Sequence, residues 1–403
     1  MENNHTQPFY NTTIPSDWQV KPVGKAFEIC NNFRLPISEE ERKKVQGQFP
    51  YYGPTKIQDY INDYRLDGTY ALIGEDGDHF LKWKELPMTL LVSGKFNVNN
   101  HAHIIQGKDN LTEWFFYFFN NRELTPHLTR QGAGRYKLTK DSLQKILCPI
   151  PPVIEQRSIV KVLSTIDKAI AKNNQLITQK ELLKKWLMQN LLTRKKRLKG
   201  FNGVWRELKL GKLFNQIKNI NDGGDTHSIM TISSKLGLIS QEDKFDRVIA
   251  GDSLKKYTQL KKEDFAYNKG NSKTYQMGCI YQLEEKESAL VPFVYICFSP
   301  TDLVDAKFYK HWFFAHGLDR QLKKIITSGA RGDGLLNVNS DDFFNLKVPY
   351  PPKEEQTAIT QVLQAADKEI QLLKAKTDKL REQKKGMMQL LLTGKVRIKN
   401  LNL

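Results

Sequence analysis

The chain lacks most of what would mark an enzyme, a secreted protein or a membrane protein. It has only four cysteines in 403 residues, Cys30, Cys148, Cys279 and Cys297, with no CxxC spacing. That argues against a zinc ribbon or a disulfide framework and fits buried or free thiols in a reducing cytoplasm. No apolar run reaches 18 residues, and the longest aromatic cluster, 114–119, is too short to span a bilayer. The opening MENNHTQPFYNTT lacks a charged-then-apolar leader, and residues 1–13 read as a loose polar lead. Phosphate-binding loops are missing too. The pairs Gly24-Lys25, Gly94-Lys95, Gly107-Lys108, Gly211-Lys212 and Gly394-Lys395 lack the following Ser or Thr and the upstream glycine frame. No GxGxxG follows a strand pattern. The motifs with which an adenine methyltransferase holds its methyl donor and target base are absent, and Tyr350-Pro351-Pro352 lacks the preceding Asn. His101 and His103 form a two-ligand pair with no third ligand nearby, so no metal site is assigned.

Acid is also scarce. Asp and Glu total 44 against 62 Lys and Arg, a formal charge of +18 and a pI near 9.5. A field of that sign concentrates polyanions, which makes nucleic acid the leading partner. A membrane surface fits less well, because no basic amphipathic anchor or lipidation site is present. Hydrophobic residues at 39% are enough for real cores.

What is present is a segment that occurs twice. IPPVIEQRSIVKVLSTIDKAIAKNNQLITQKELLKKWLMQNLLT at 150–193 returns at 350–393 with a constant offset of 200 and no gap. Pro151/Pro351, Pro152/Pro352, Glu155/Glu355, Gln156/Gln356, Asp167/Asp367, Lys184/Lys384 and Leu191-Leu192-Thr193/Leu391-Leu392-Thr393 coincide. The chain is therefore built of two similar halves, each ending in this segment. Both copies carry one heptad seam. The first runs Ile159, Leu163, Ile166, Ile170, Asn173, Ile177, Lys180, Lys184, Leu187, Leu191. The second runs Ile359, Leu363, Ala366, Ile370, Leu373, Thr377, Leu380, Lys384, Met387, Leu391. A stripe this narrow needs a partner stripe of equal length, and the other copy supplies one. Asn173, Lys180, Lys184 and Lys384 cost stability there and restrict register. Pro-Pro followed by glutamate suits a helix start. Gly394 is a helix stop, whereas Arg194 in the equivalent place predicts that the first helix runs on into 195–199. At 1.5 Å per residue each helix is about 60 Å long.

The halves also open alike, with Trp18 six residues before Gly24 and Trp205 six before Gly211. Between opening and helix the text mixes strands and helices. Residues 69–73, 89–92 and 102–105 read as strands, and 113–121 as a helix with an aromatic face. Residues 288–298 read as a strand pair, and 308–326 as a helix broken at Gly317. The fold class is α+β, with segments 1–149, 150–200, 201–349 and 350–403 as two domains and two helical spacers. Binding chemistry gathers in loops. Asn and Gln can bond adenine bidentately, and Arg or Lys guanine. The candidates in the first half are Tyr51, Tyr52 and Lys56, then Asn97, Asn99, Asn100, His101 and His103, then Arg130, Gln131 and Arg135 beside a glycine turn. In the second half they are Asn268, Lys269, Ser272, Lys273, Arg331 and Asn337.

The chain resembles the specificity subunits of type I restriction–modification systems. The carriers are the duplicated Pro-Pro-x-x-Glu-Gln…Leu-Leu-Thr helix and the duplicated tryptophan opening. Others are Tyr60-Ile61-Asn62-Asp63-Tyr64 with Leu66-Asp67-Gly68, Gly74-Glu75-Asp76-Gly77, Asn99-Asn100-His101-Ala102-His103 and Gly332-Asp333-Gly334-Leu335-Leu336-Asn337-Val338. The resemblance implies two target-recognition domains, each reading one half of a split double-stranded DNA site. It implies an antiparallel coiled coil between them, in a pseudo-two-fold repeat. It implies two methylation subunits that bind S-adenosylmethionine and methylate adenine N6, and two restriction and translocation subunits that use ATP and Mg2+. This chain would itself hold no cofactor, carry no catalytic residue and stay in the cytoplasm, away from membranes. A stand-alone nuclease or methyltransferase, and a DNA-binding scaffold outside restriction, are the competing readings.

Overall fold

The structure is a computed structural model that describes residues 5–131, 135–221, 228–233, 236–245, 251–270, 275–326 and 336–398. Its contacts gather the chain into two compact units, 1–174 with 375–403, and 175–374. The units do not follow the chain segments drawn from the sequence, because each takes half of both long helices.

In the first unit a six-stranded sheet has the order Phe27–Ile29, Ala102–Gly107, Leu66–Gly74, Thr89–Val98, Gln46–Tyr52, Ile57–Ile61. All its pairings are antiparallel except that of Gln46–Tyr52 with Thr89–Val98. Helix Thr112–Asn120 lays Trp114, Phe115, Tyr117, Phe118 and Phe119 into the main core, all buried. The 89–92 strand runs on to Val98, because it pairs with Leu66–Gly74 as far as Phe96 and with Tyr51 and Tyr52 beyond. Residues 5–13 are not a loose lead. Thr6–Phe9 pairs with Thr12–Pro15, and Phe9 is buried against the same core.

The second unit holds two four-stranded sheets. One has the order Phe214–Gln216, Ile296–Pro300, Phe265–Asn268, Cys279–Gln282, and the other Gly237–Ser240, Ser228–Ser233, Ser288–Val291, Thr258–Lys261. Residues 288–298 therefore do not form a hairpin, since Ser288–Val291 and Ile296–Pro300 enter different sheets. The predicted break at Gly317 is present, between helices Ala306–Phe314 and Asp319–Ile325. A Cβ there would lie 2.4 Å from the Trp312 ring.

The long helices run Val153–Leu191 and Lys353–Leu391. Every seam position of both copies is buried or half-buried. The seam lysines are paired with acids of the opposite helix. In the second unit Lys184 meets Asp367, and Lys180 meets Glu369 at 2.8 Å. In the first unit Lys384 meets Asp167 at 2.6 Å, and Asp167 also accepts from the Tyr117 hydroxyl at 2.8 Å. In the second unit the pairs 180/369 and 184/367 run in opposite directions, and in the first so do 167/384 and 155/397, so the helix halves pack antiparallel in each. The first helix does not run on. It stops at Leu191 as its copy stops at Leu391, with Arg194 at φ 61° where Gly394 has φ 68°. Backbone closure decides the matter, since Lys196 N–H returns to Asn190 O and Val396 N–H to Leu390 O.

The repeated motif has a structural purpose in each unit. Glu155, 2% exposed, accepts from Trp18 Nε1 at 3.1 Å and from Arg397 Nε and Nη2 at 2.7 and 2.8 Å. Arg397 also forks onto Asp17 at 2.8 Å. Glu355, fully buried, accepts from Trp205 Nε1 at 2.9 Å and from Arg197 Nε at 2.9 Å and Nη2 at 2.5 Å. Bidentate pairs of this kind are strong and directional, and they raise the already high pKa of both arginines further. Gln156 ties Pro151 O to Leu111 N–H, and Gln356 ties Pro351 O to Asp305 N–H. Each glutamine thus fixes the aromatic helix that follows its second partner.

Candidate nucleic-acid interface

In the first unit, segments from several parts of the chain are joined by backbone hydrogen bonds. Asn99 N–H donates to Tyr52 O at 2.9 Å, Glu75 N–H to His101 O at 2.8 Å, Gly77 N–H to Tyr136 O at 3.3 Å, and Leu138 N–H to Glu75 O at 2.8 Å. The loops after Tyr52, Gly74 and Val98 and the segment 136–138 are thereby held as one surface. Lys56, Asn100, His101 and Arg130 are exposed on it. His101 Nδ1 meets Asp76 Oδ2 at 2.9 Å, and Arg130 lies over the Tyr136 ring and donates to its hydroxyl at 3.0 Å. This surface offers a cation, an amide, an imidazole and a guanidinium, the groups that suit base edges and phosphates.

Several sequence candidates are absorbed into the frame beneath it. Tyr51 is 1% exposed, and its hydroxyl donates to Leu35 O at 2.6 Å, so it is a core residue and not a loop tip. Tyr52 is half-buried edge-on to Phe96. Asn97 is fully buried and works as a backbone mimic, accepting from Arg65 N–H at 3.0 Å and donating to Asp63 O at 2.7 Å. Asn99 accepts from His101 N–H at 2.8 Å and donates to Gln58 Oε1 at 3.0 Å. His103 is fully buried, and burial holds its pKa down to about 4. Its ring is therefore neutral near pH 7. Nε2–H donates to Leu138 O at 2.7 Å, and Nδ1 accepts from Asn31 Nδ2 and Arg34 Nη2 at 2.9 and 2.8 Å. Both nitrogens are used, so His101 and His103 cannot act as a ligand pair. Among the described residues no group of three or more metal-ligating side chains forms.

Gln131 and Arg135 pair through their backbones in a short hairpin. Their side chains, and residues 132–134, lie outside the described residues, as do Ser272, Lys273 and Arg331. In the second unit Asn268 caps its strand by accepting from Gly270 N–H at 2.9 Å. Lys269 O accepts from Leu336 N–H at 2.8 Å, which places half-buried Asn337 beside that loop. Sequence reading missed the half-buried Arg34–Glu75–Lys137 network beside the first surface, with contacts of 2.7 and 3.2 Å. These residues lie 41 and 62 positions apart, and no local pattern announces them.

The family of type I restriction modification DNA specificity domains matches at 15–182 and again at 207–382. A type I restriction enzyme specificity subunit of Methanocaldococcus jannaschii is 24% identical over 96% of this chain and 95% of its own. A putative subunit of the same kind from Haemophilus influenzae is 39% identical over 41% of each chain. Among solved structures, the S subunit from M. genitalium superimposes with a TM-score of 0.59 at 12% identity, covering 95% of this chain and 98% of that one. A chain from a structure of type I restriction–modification complex assembly gives 0.51 at 14% identity, covering 96% and 100%.

Proposed function

The chain belongs to the type I restriction–modification DNA specificity family, and from that premise we propose how it works as the DNA-recognition subunit of such a system. Each unit reads one half of a split, asymmetric site in double-stranded DNA. In the first unit the reading surface is the set of joined loops that carries Lys56, Asn100, His101 and Arg130. In the second it is the neighbourhood of Asn268, Lys269 and Asn337. The carrying observation is the pair of matched clamps, Trp18–Glu155–Arg397 and Trp205–Glu355–Arg197. Each ties an α+β body to its helices through the tryptophan of the body's opening and not through its reading loops. A body can then change its reading loops without losing its seat.

On this reading two methylation subunits dock on the chain, bind S-adenosylmethionine and methylate adenine N6. Two restriction and translocation subunits that use ATP and Mg2+ complete the nuclease. The chain adds no catalytic group and no cofactor. It acts in the cytoplasm, and among the described residues no helix is long and apolar enough to cross a membrane.

The test is methylation mapping. The chain is expressed with its neighbouring methylation subunit in a host free of DNA methylation, and adenine methylation is read across the genome. A split motif with a fixed gap is expected, and exchanging one unit's variable body should change one half only. Failure to form any complex with the methylation subunit would refute the reading.

A further inference from the structure

From Leu182 to Arg206 the chain carries eight Lys and Arg and no Asp or Glu. Two of the eight, Lys184 and Arg197, are paired with Asp367 and Glu355. Arg194, Lys195, Lys196 and Lys199 form the exposed turn after the first long helix. None of the four has a carboxylate partner among the described residues. The turn is held tightly. Lys196 lies over the Trp186 ring at 4.7 Å, Lys196 N–H bonds Asn190 O, and Arg197 donates to Gly203 O at 2.7 Å.

The repeat supplies a built-in control. The same turn after the second long helix closes with the same bond, yet it has Gly394 and Val396 where this one has Arg194 and Lys196. The closure therefore needs neither cation. Arg194 instead sits in left-handed backbone that suits glycine, at φ 61°. Strain kept at an exposed position where a neutral residue would serve is a mark of function.

We infer that this turn is a sequence-independent contact to the DNA phosphate backbone, belonging to the second unit and without an equal in the first. The inference rests on the DNA-recognition reading and deepens it. The loops that read bases set which site is bound. Arg194, Lys195, Lys196 and Lys199 supply a part of the affinity that is the same for every sequence. A phosphate ladder fits the turn better than a single anion would, because four exposed cations are spread over six residues.

The test uses the full chain in complex with its methylation subunit. Binding is measured across a salt series to a duplex that carries the mapped site and to an unrelated duplex of equal length. The variant combines Arg194→Gly with Lys195→Gln, Lys196→Gln and Lys199→Gln. Each lost phosphate contact should lower the slope of log affinity on log salt by about 0.9, equally on both duplexes. Arg194→Gly alone should also lower it, although that change relieves backbone strain, so misfolding cannot account for the loss. Replacing the three lysines by arginine should leave the slope unchanged. A quadruple variant with the wild-type slope would overturn the inference, as would weaker capture of the methylation subunit with DNA binding unchanged, which would mark an acidic protein surface as the partner. A wild-type complex that bound no DNA would overturn this and the recognition reading together.

Discussion

Arg194 and Gly394 occupy one position of the repeat and should respond to substitution with opposite sign. Both residues are left-handed, at φ 61° and 68°. For an L side chain that conformation costs about 1–2 kcal/mol. Arg194→Gly removes this cost but frees the unfolded chain by about 0.5–1 kcal/mol, leaving a gain of about 0–1.5 kcal/mol. Gly394→Ala meets two penalties. The left-handed cost returns, and the new Cβ would lie 2.4 Å from Pro15 Cγ and Cδ and 3.1 Å from Trp18. Overpacking of that kind typically costs about 1–3 kcal/mol, and the stiffer unfolded chain returns about 0.5–1 kcal/mol, so the net cost is about 1–4.5 kcal/mol. Calorimetry of the full chain reads both effects. For a unit of this size 1 kcal/mol moves the midpoint by about 2–4 °C. Arg194→Gly should raise the transition of unit 175–374 by about 2 °C, and Gly394→Ala should lower that of the other unit by roughly 2 °C or more. If Arg194→Gly destabilised, or if Gly394→Ala were harmless, the helix-stop argument would be refuted.

Other outcomes follow from the buried groups. Arg397→Ala leaves Glu155 buried with one tryptophan donor; loss of a buried ion-pair partner costs about 3–5 kcal/mol. Although Arg397 lies near the C-terminal end, limited proteolysis should show loosening of the N-terminal body, and protection of that body would count against the clamp. Asn97→Ala should cost about 1–3 kcal/mol by stranding Arg65 N–H and Asp63 O. Asn100→Ala should leave stability unchanged and relax base choice in one half of the methylated motif, so equal loss on unrelated DNA would indicate a phosphate role instead. His103 and His311 are both held down to about 4 from 6.5, chiefly by burial. Their unfolded forms take up protons first, so stability is full above pH 6.5 and falls between 6.5 and 4. The loss is on the order of 3 kcal/mol for each ring, and His103→Gln should flatten part of that slope in unfolding curves. An unchanged slope would mean that the ring is not buried neutral.

The repeat, the heptad seams, the matched motif and the α+β class were all legible along the chain, because each is a pattern of residue types at short or constant spacing. A seam position is apolar because a helix turns every 3.6 residues, and that period is local. The same logic found the aromatic helix and the break at Gly317. It failed wherever a residue's role is set by a distant partner. Asn97, Asn99, His103 and Tyr51 look like recognition chemistry in sequence, since amides, imidazoles and phenols are equally able to bond a base or a backbone. Only the fold brought Asp63, Gln58, Leu138 and Leu35 to them and used those groups up.

Arg194 makes the same point about the backbone. Local preference predicts that the helix continues through an arginine. The hydrogen bond from Lys196 to Asn190 and the packing of Leu191 and Leu192 into the core end it instead. The sequence by itself determined that two like halves exist, which stripes they bury and that the chain is strongly basic. Tertiary structure decided that each compact unit takes half of both helices, that the glutamate of the repeated motif is a clamp, and which of the described loop residues stay exposed. Those facts depend on contacts between residues as far apart as Asp17 and Arg397. Chain closure over such distances is set by the whole packed structure, and no local preference encodes it.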